Sequence, residues 1–289
     1  MVKKIGFIGT GVMGTGMIKN LIAHDFPVTV YNRTKAHAKA VLDAGATWLN
    51  TPAEVAQATD VVITILGFPE DVQQVYFGQD GIFEGVHSNQ VLIDMTTTRP
   101  SIAQRIYAQA QANQIDALDA PVSGGDIGAQ NATLTIMVGG DQAVFEGQQD
   151  IFNAMGKQVK YFGPAGSGQH TKMANQIMIA GTMTGLTEML VYAKKAGLDL
   201  AAVLDTVGNG AAANWSLSNY GPRILKNDYT PGFFAKHFLK DLRIALDSAR
   251  EMKIELPATL EANRLYQILV EDKGLGNDGT QALIKLWWQ

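Results

Sequence analysis

A short apolar run, Lys4–Ile8, stops at Gly9-Thr10-Gly11-Val12-Met13-Gly14, and an amphipathic helical pattern, Met13–His24, opens behind it. A G-x-G-x-x-G at a strand-to-helix turn narrows the possible folds sharply. Gly9 permits the tight turn, Gly11 lets a pyrophosphate approach the backbone, and Gly14 lets the helix pack against the strand. The unbonded amides at the helix start, those of Val12 and Met13 among them, then face the anion.

The pattern after this turn keeps alternating. Apolar runs at Val28–Tyr31, Val61–Leu66, Val91–Asp94, Ile115–Asp119, Thr133–Val138 and Gln158–Tyr161 read as strands. Helical stretches lie between them at Lys35–Ala44, Pro52–Ala58, Asp71–Tyr76, Ser101–Ala112 and Asp141–Met155. Strands alternating with helices predict βαβ units and a mainly parallel sheet. After about Gly163 the strand signal fades. A long helical pattern runs over Gly168–Ala196, followed by Leu200–Thr206, Phe238–Met252, Pro257–Leu269 and Gly279–Leu286. The expected organisation is an α/β domain over 1–163 and an all-α domain over 164–289, the second beginning with a long interdomain helix.

Composition removes several functions. The 289 residues carry a formal net charge of -4, which argues against nucleic acid as the partner. There is no cysteine, so disulfides, a thiol nucleophile and a cysteine zinc site are excluded. No H-E-x-x-H or similar cluster makes a case for a metal. The N-terminal apolar run is too short for a signal peptide, and no clean span of eighteen apolar residues appears. A cytoplasmic protein that does not enter membranes is expected. Met173 and Met178 are expected to fill the core.

Cofactor choice is legible where the second strand ends. A site for NAD usually has an acid there to hold the ribose 2′-hydroxyl. This chain has Asn32, Arg33 and Thr34 instead. Arg33 suits a 2′-phosphate, with Asn32 and Thr34 adding hydrogen bonds, so NADP(H) is favoured and NAD(H) remains possible. Thr34 also reads as the N-cap of the next helix. Two further post-strand loops are positioned to line the crevice: Leu66-Gly67-Phe68-Pro69, and Asp94–Pro100, which holds Thr97.

Three later segments carry candidate chemistry. In Asp119–Ala129, the Ser123 hydroxyl and the backbone at Gly124 and Gly125 suit a carboxylate, though a plain polar turn reads the same way. Lys172 and Asn175, three apart, share one helix face behind a glycine-rich stretch. If Lys172 faces the domain cleft, desolvation favours the neutral amine and suits it to proton transfer, and a bound carboxylate pushes the other way; a solvated lysine is the ordinary alternative. Asn175 is expected to orient either the substrate oxygen or Lys172. In Phe233–Asp241, Lys240 and Asp241 sit in an aromatic run, as an ion pair or as ligand contacts, and His237 reads as structural.

Together FIGTGVMGTGMIKNL (7–21), DMTTTRP (94–100), DAPVSGGDIGAQNATL (119–134), GSGQHTKMANQ (166–176) and FFAKHFLKD (233–241) resemble the β-hydroxyacid dehydrogenase family over nearly the full chain. The resemblance implies a Rossmann-type domain, an all-α domain and an oxidoreductase moving hydride between a nicotinamide and a small hydroxy acid or semialdehyde acid. It carries the catalytic lysine onto Lys172 and its supporting asparagine onto Asn175. Ser123, Gly124 and Gly125 correspond to the substrate-carboxylate loop, and Thr97 to the threonine near nicotinamide and substrate. Phe233, Lys240 and Asp241 match second-domain residues around the site: Phe233 and Asp241 toward substrate, Lys240 toward cofactor. A homo-oligomer, dimer or tetramer, is implied. Ile18 and Ala132 depart from the family pattern, Ala132 standing where glycine is normal. Glyoxylate or succinic semialdehyde reductases belong to the same group. Imine reductases share the fold but usually lack the lysine, and a non-catalytic dinucleotide-binding protein is a further reading.

Overall fold

The computed structural model describes residues 2–288 and divides into two compact units, Met1–Lys172 and Met173–Gln289. In the first unit nine strands form one sheet. They are β1 (Ile5–Ile8), β2 (Val28–Tyr31), β3 (Thr47–Trp48), β4 (Val61–Thr64), β5 (Val91–Asp94), β6 (Asp116–Asp119), β7 (Val122–Ser123), β8 (Leu134–Gly140) and β9 (Gly156–Tyr161). The order is β3-β2-β1-β4-β5-β6-β8-β7, with β9 also paired to β8. From β3 through β6 every pairing is parallel; β8 runs antiparallel to β6 and β7. The expected mainly parallel sheet of a Rossmann-type domain is present.

β1, β4 and β5 are buried along their whole length. This follows from helices covering both faces, and it explains why these strands read as unbroken apolar runs. Two apolar clusters divide the unit. One, with Phe7, Met17, Leu21, Ile63 and Phe152, packs the Val12–Ala23 helix; the other, with Val62, Tyr76, Leu92 and Ile106, packs Pro69–Phe77 and Pro100–Ala112.

Local chemistry moved some boundaries. Lys35–Ala44 is a 3-10 turn, Lys35–Ala38, followed by one short α turn, Lys39–Leu42. Thr34 stands at its N-cap position without a side-chain cap bond. Asp141–Met155 breaks at Gly147-Gln148 into two helices. β3 and β7 are two residues each, too short to leave a period in the sequence. Ala132 takes φ +54, the left-handed region that suits the glycine it replaces.

The second unit is helical. It contains the long helix Ser167–Lys195 from Met173 onward, then Leu200–Gly208, Trp215–Leu225, Ala235–Glu251 and Pro257–Gln267, and a 3-10 stretch at Thr280–Leu286. Ala180, Met183, Leu186, Leu190 and Ala193 recur at three- and four-residue steps and are buried. Met173 is buried as expected, but Met178 is 67% exposed, because its position falls on the opposite stripe of the helix. Trp215–Leu225 carries Pro222 in its interior, and the Asn214 side chain caps it by accepting from Leu217 N at 3.0 Å.

Candidate active site

β1 lies between β2 and β4, so the sheet order reverses at its edge, the place where open α/β sheets bind ligands. Gly9 takes φ +107, and a Cβ there would run into the Ile65 carbonyl oxygen. A Cβ on Gly14 would strike the Gly9 carbonyl oxygen. By contrast, a Cβ on Gly11 would meet nothing within 4 Å, so the backbone there faces open space. The Val12–Ala23 helix has no side-chain cap at Gly11, which leaves the amides of its first turn, including those of Val12, Met13 and Gly14, to an anion. This turn fits a dinucleotide pyrophosphate.

The second strand's end is braced to that turn. Asn32 Oδ1 accepts from Thr10 N at 3.1 Å, and Asn32 Nδ2 donates to Thr34 O at 3.0 Å. The Asn32 amide therefore holds the glycine turn in register. Arg33 is well exposed and pairs with Asp71 at 3.1 Å.

Leu66 and Gly67 follow β4, and Thr97 follows β5. Leu66 N donates to Thr96 Oγ1 at 2.9 Å, which ties these two loops together. Asp94 anchors the second of them. Its Oδ1 accepts from Thr64 Oγ1 at 2.8 Å and from Thr96 N at 3.0 Å, and Thr64 Oγ1 also lies 3.0 Å from the Tyr76 hydroxyl. Burial pushes the Asp94 carboxyl up to about 6, against the hydrogen bonds of Thr96 and Thr64, with nearby Asp119 raising it further. The native protein thus holds this proton more tightly than the unfolded chain, whose carboxylate titrates near 3.8. The contribution is full below that value and is lost as pH rises through about 6. Asp94→Asn should therefore gain on the wild type as pH rises from 4 to 7, by on the order of 2–3 kcal/mol. Melting temperatures across that range check it; a constant offset between the two proteins would remove the argument.

The second anchor is Asp119, at the end of β6. Its Oδ1 accepts from Gly166 N at 2.7 Å and its Oδ2 from Gln169 N at 2.8 Å, so one buried carboxylate caps the start of the Ser167–Lys195 helix. Burial raises this carboxyl too, and the backbone amides of Gly166 and Gln169 oppose the rise. Gly168 is needed at the contact: a Cβ there would collide with the Met137 and Asp119 carbonyl oxygens. Gln169 is fully buried. Its Nε2 donates to Thr96 O at 2.7 Å, and its Oε1 accepts from Thr98 N at 3.0 Å. The helix face carrying Gln169 is thus stapled to the threonine loop on either side of Thr97. Lys172, three residues on, shares that face and is only 6% exposed. Ser123 closes β7; Gly124 and Gly125 follow with φ +129 and +63, opening the short helix Gly125–Gln130.

Within the second unit a separate polar group forms. Asn175 Nδ2 donates to Gln176 Oε1 at 2.7 Å, and Gln176 Nε2 donates to Asp241 Oδ2 at 2.7 Å. Lys240 Nζ lies 2.9 Å from Asp241 Oδ1. Phe233 meets Phe238 edge-on, on the same helix as Lys240 and Asp241. His237 is packed edge-on against Phe234, and burial first, then the charges of Lys240 and Lys236, pull it down to about 4. A neutral, packed His237 suits a structural part.

The structure brings the glycine turn, Asn32–Thr34, Leu66, Gly67 and Thr97 to the carboxyl ends of the parallel strands, and joins Asn175, Lys240 and Asp241 through Gln176. Sequence reasoning missed Asp94, Asp119, Gln169 and Gln176 as positioning groups. Gln169, Lys172 and Gln176 recur at steps of three and four on an otherwise apolar face, and that stripe was the available signal. Among the described residues, no group of three His, Asp or Glu side chains is arranged to hold a metal ion, and no helix is long and apolar enough to cross a membrane.

Comparison with known proteins gives the family and the fold. Residues 4–163 match the family described as the NAD binding domain of 6-phosphogluconate dehydrogenase. Residues 166–287 match the NAD-binding family of NADP-dependent 3-hydroxyisobutyrate dehydrogenase. An uncharacterized oxidoreductase of Bacillus subtilis, YkwC, is 50% identical over 99% of both chains. A probable mitochondrial 3-hydroxyisobutyrate dehydrogenase-like protein of Arabidopsis thaliana is 46% identical, over 97% of this chain and 84% of that one. The solved 3-hydroxyisobutyrate dehydrogenase of Mycobacterium tuberculosis with L-serine superposes with a TM-score of 0.92 at 28% identity, covering all of both chains. The chain belongs to the β-hydroxyacid dehydrogenase family, nicotinamide-dependent oxidoreductases acting on small molecules.

Proposed function

We propose that this protein is an NADP(H)-dependent dehydrogenase of a small 3-hydroxy acid of the 3-hydroxyisobutyrate type, interconverting it with its semialdehyde acid. The observation that carries the reading is the buried Lys172, held by the Gln169 staple on the helix face turned to the Thr96–Thr98 loop. The relatives from Arabidopsis and Mycobacterium favour the same substrate class.

NADP(H), when bound, supplies or removes the hydride. The turn from Gly9 to Gly14 would hold its pyrophosphate, and Arg33 and Thr34 its 2′-phosphate, with Asn32 bracing the turn. Leu66, Gly67, Thr97 and Lys240 would contact the cofactor. Ser123, Gly124 and Gly125 hold the substrate carboxylate, with Thr97, Phe233 and Asp241 around the rest of the substrate. Lys172 gives a proton to the carbonyl oxygen in reduction and takes it from the hydroxyl in oxidation. Asn175 supports that exchange. The protein's share is orientation and electrostatics.

The test is NADPH consumption against methylmalonate semialdehyde, succinate semialdehyde, tartronate semialdehyde, glyoxylate and a cyclic imine, repeated with NADH. Preference for a carboxylate-bearing aldehyde is expected; turnover of the imine alone would reverse the reading. Arg33→Ala should weaken NADPH binding about 10- to 100-fold, the size of a charge-assisted phosphate contact. NADH binding should change little. Equal losses for both, measured by cofactor fluorescence, would take the 2′-phosphate away from Arg33.

A further inference from the structure

We propose that Gln176 is a positioning residue that locks the Asn175 side-chain amide with its carbonyl oxygen outward, so that Asn175 serves as a hydrogen-bond acceptor for the Lys172 amine. This rests on Lys172 being the proton-transfer group.

The order of donors and acceptors sets both amide orientations. A carboxylate only accepts hydrogen bonds. Asp241 is almost fully buried; Lys240 Nζ forms an ion pair with it, 2.9 Å from Oδ1, and its Oδ2 accepts from Gln176 Nε2 at 2.7 Å. Turning the Gln176 amide over would press its carbonyl oxygen against a carboxylate oxygen, and Gln176 has no exposed surface. The Gln176 amide therefore has one orientation, with Oε1 toward Asn175. Asn175 meets that oxygen with its Nδ2 at 2.7 Å. Turning Asn175 over would oppose two carbonyl oxygens. The Lys240–Asp241–Gln176–Asn175 order thus fixes an amide that electron density alone rarely settles.

Asn175 Nδ2 keeps one hydrogen beyond the one given to Gln176, and the other group left to meet a partner is Asn175 Oδ1, an acceptor. A substrate carbonyl is an acceptor too, so this oxygen cannot hold it. The donor common to both directions of the reaction is the amine of Lys172, one helical turn earlier on the same face. One N–H of Lys172 held by Asn175 leaves the rest of the amine aimed at the reacting oxygen.

The first test needs no substrate. In protein labelled with 15N in asparagine and glutamine side chains, the Gln176 NH2 protons and the Asn175 proton facing Gln176 should exchange slowly with water, and Asp241→Ala should release both residues. Fast exchange at Asn175 in the wild type would overturn the proposal. The second test is kinetic. Gln176→Met should lower kcat about tenfold, keep KM and NADPH binding within twofold, and raise the primary deuterium isotope effect from deuterated NADPH. In an Asn175→Ala background the same substitution should change kcat less than twofold. An equal loss in both backgrounds, or an unchanged isotope effect, would mean that Gln176 serves only the fold. No turnover by the wild type on any substrate would count against the proposed function, while the exchange measurement would still decide the amide order.

Discussion

Lys172→Ala should lower turnover by on the order of 10³-fold or more while leaving NADPH binding within twofold. Acid–base catalysis by a positioned group contributes about 10²- to 10⁴-fold. A buried ammonium that also stabilises charge developing on the carbonyl oxygen adds to that. Lys172 is buried and sits on the helix face that Gln169 staples to Thr96 and Thr98. The glycine turn that fits the pyrophosphate lies elsewhere, between β1 and the Val12–Ala23 helix, so removing the amine leaves that turn alone. Steady-state kinetics with the best semialdehyde, alongside fluorescence titration of NADPH, checks both halves. Small primary amines added to the variant should restore part of the rate, since the truncated side chain leaves room at the same position. Turnover within tenfold of the wild type would remove Lys172 from the chemistry.

Much of the first unit was legible because its signals are local. A glycine turn directly behind an apolar run, a pattern switching from period two to period 3.6, and proline at a helical start all act within a few residues. Val28–Tyr31, Val91–Asp94 and Pro52–Ala58 were bounded correctly for this reason. The groups that position the site are long-range. Asp119 caps a helix start 47 residues away, and Gln176 meets Asp241 across 65. No spacing rule reaches that far.

What the sequence did offer was a conflict. Gln169, Lys172 and Gln176 fall on positions that apolar periodicity assigns to the interior. The sequence reading gives Lys172 a role and gives Gln169 and Gln176 none, yet burying three such groups is costly unless each finds a partner. The Trp215–Leu225 helix was missed for a different reason. Pro222 inside it and the glycines at 208 and 210 before it are breaker signals, and tertiary packing of Leu217, Tyr220 and Ile224 overrides them.

The lysine helix is held by the Asp119 cap and by the Gln169 staple, and Asp119 should be the more costly to lose. Asp119→Ala removes both acceptors from Gly166 N and Gln169 N in a buried place, leaving two backbone amides without partners. Each stranded donor costs about 1–3 kcal/mol, so the loss should be on the order of 3–5 kcal/mol. For a chain of this size that corresponds to roughly 6–15 °C in melting temperature. Asp119→Asn keeps one carbonyl oxygen for one amide but turns an NH2 toward the other, so its loss should be smaller without vanishing. Activity should fall along with stability, because the cap fixes where the helix begins and hence where Lys172 stands. Melting curves of the two variants, with kcat measured well below either transition, separate the effects. A drop under about 2 °C in Asp119→Ala would show that the helix start is held by packing at Gly168 rather than by the carboxylate. A stable variant with full kcat would show that the lysine does not depend on the cap. The expected result is a graded one, wild type above Asn above Ala in both quantities, as a single carboxylate serving both the fold and the catalytic amine requires.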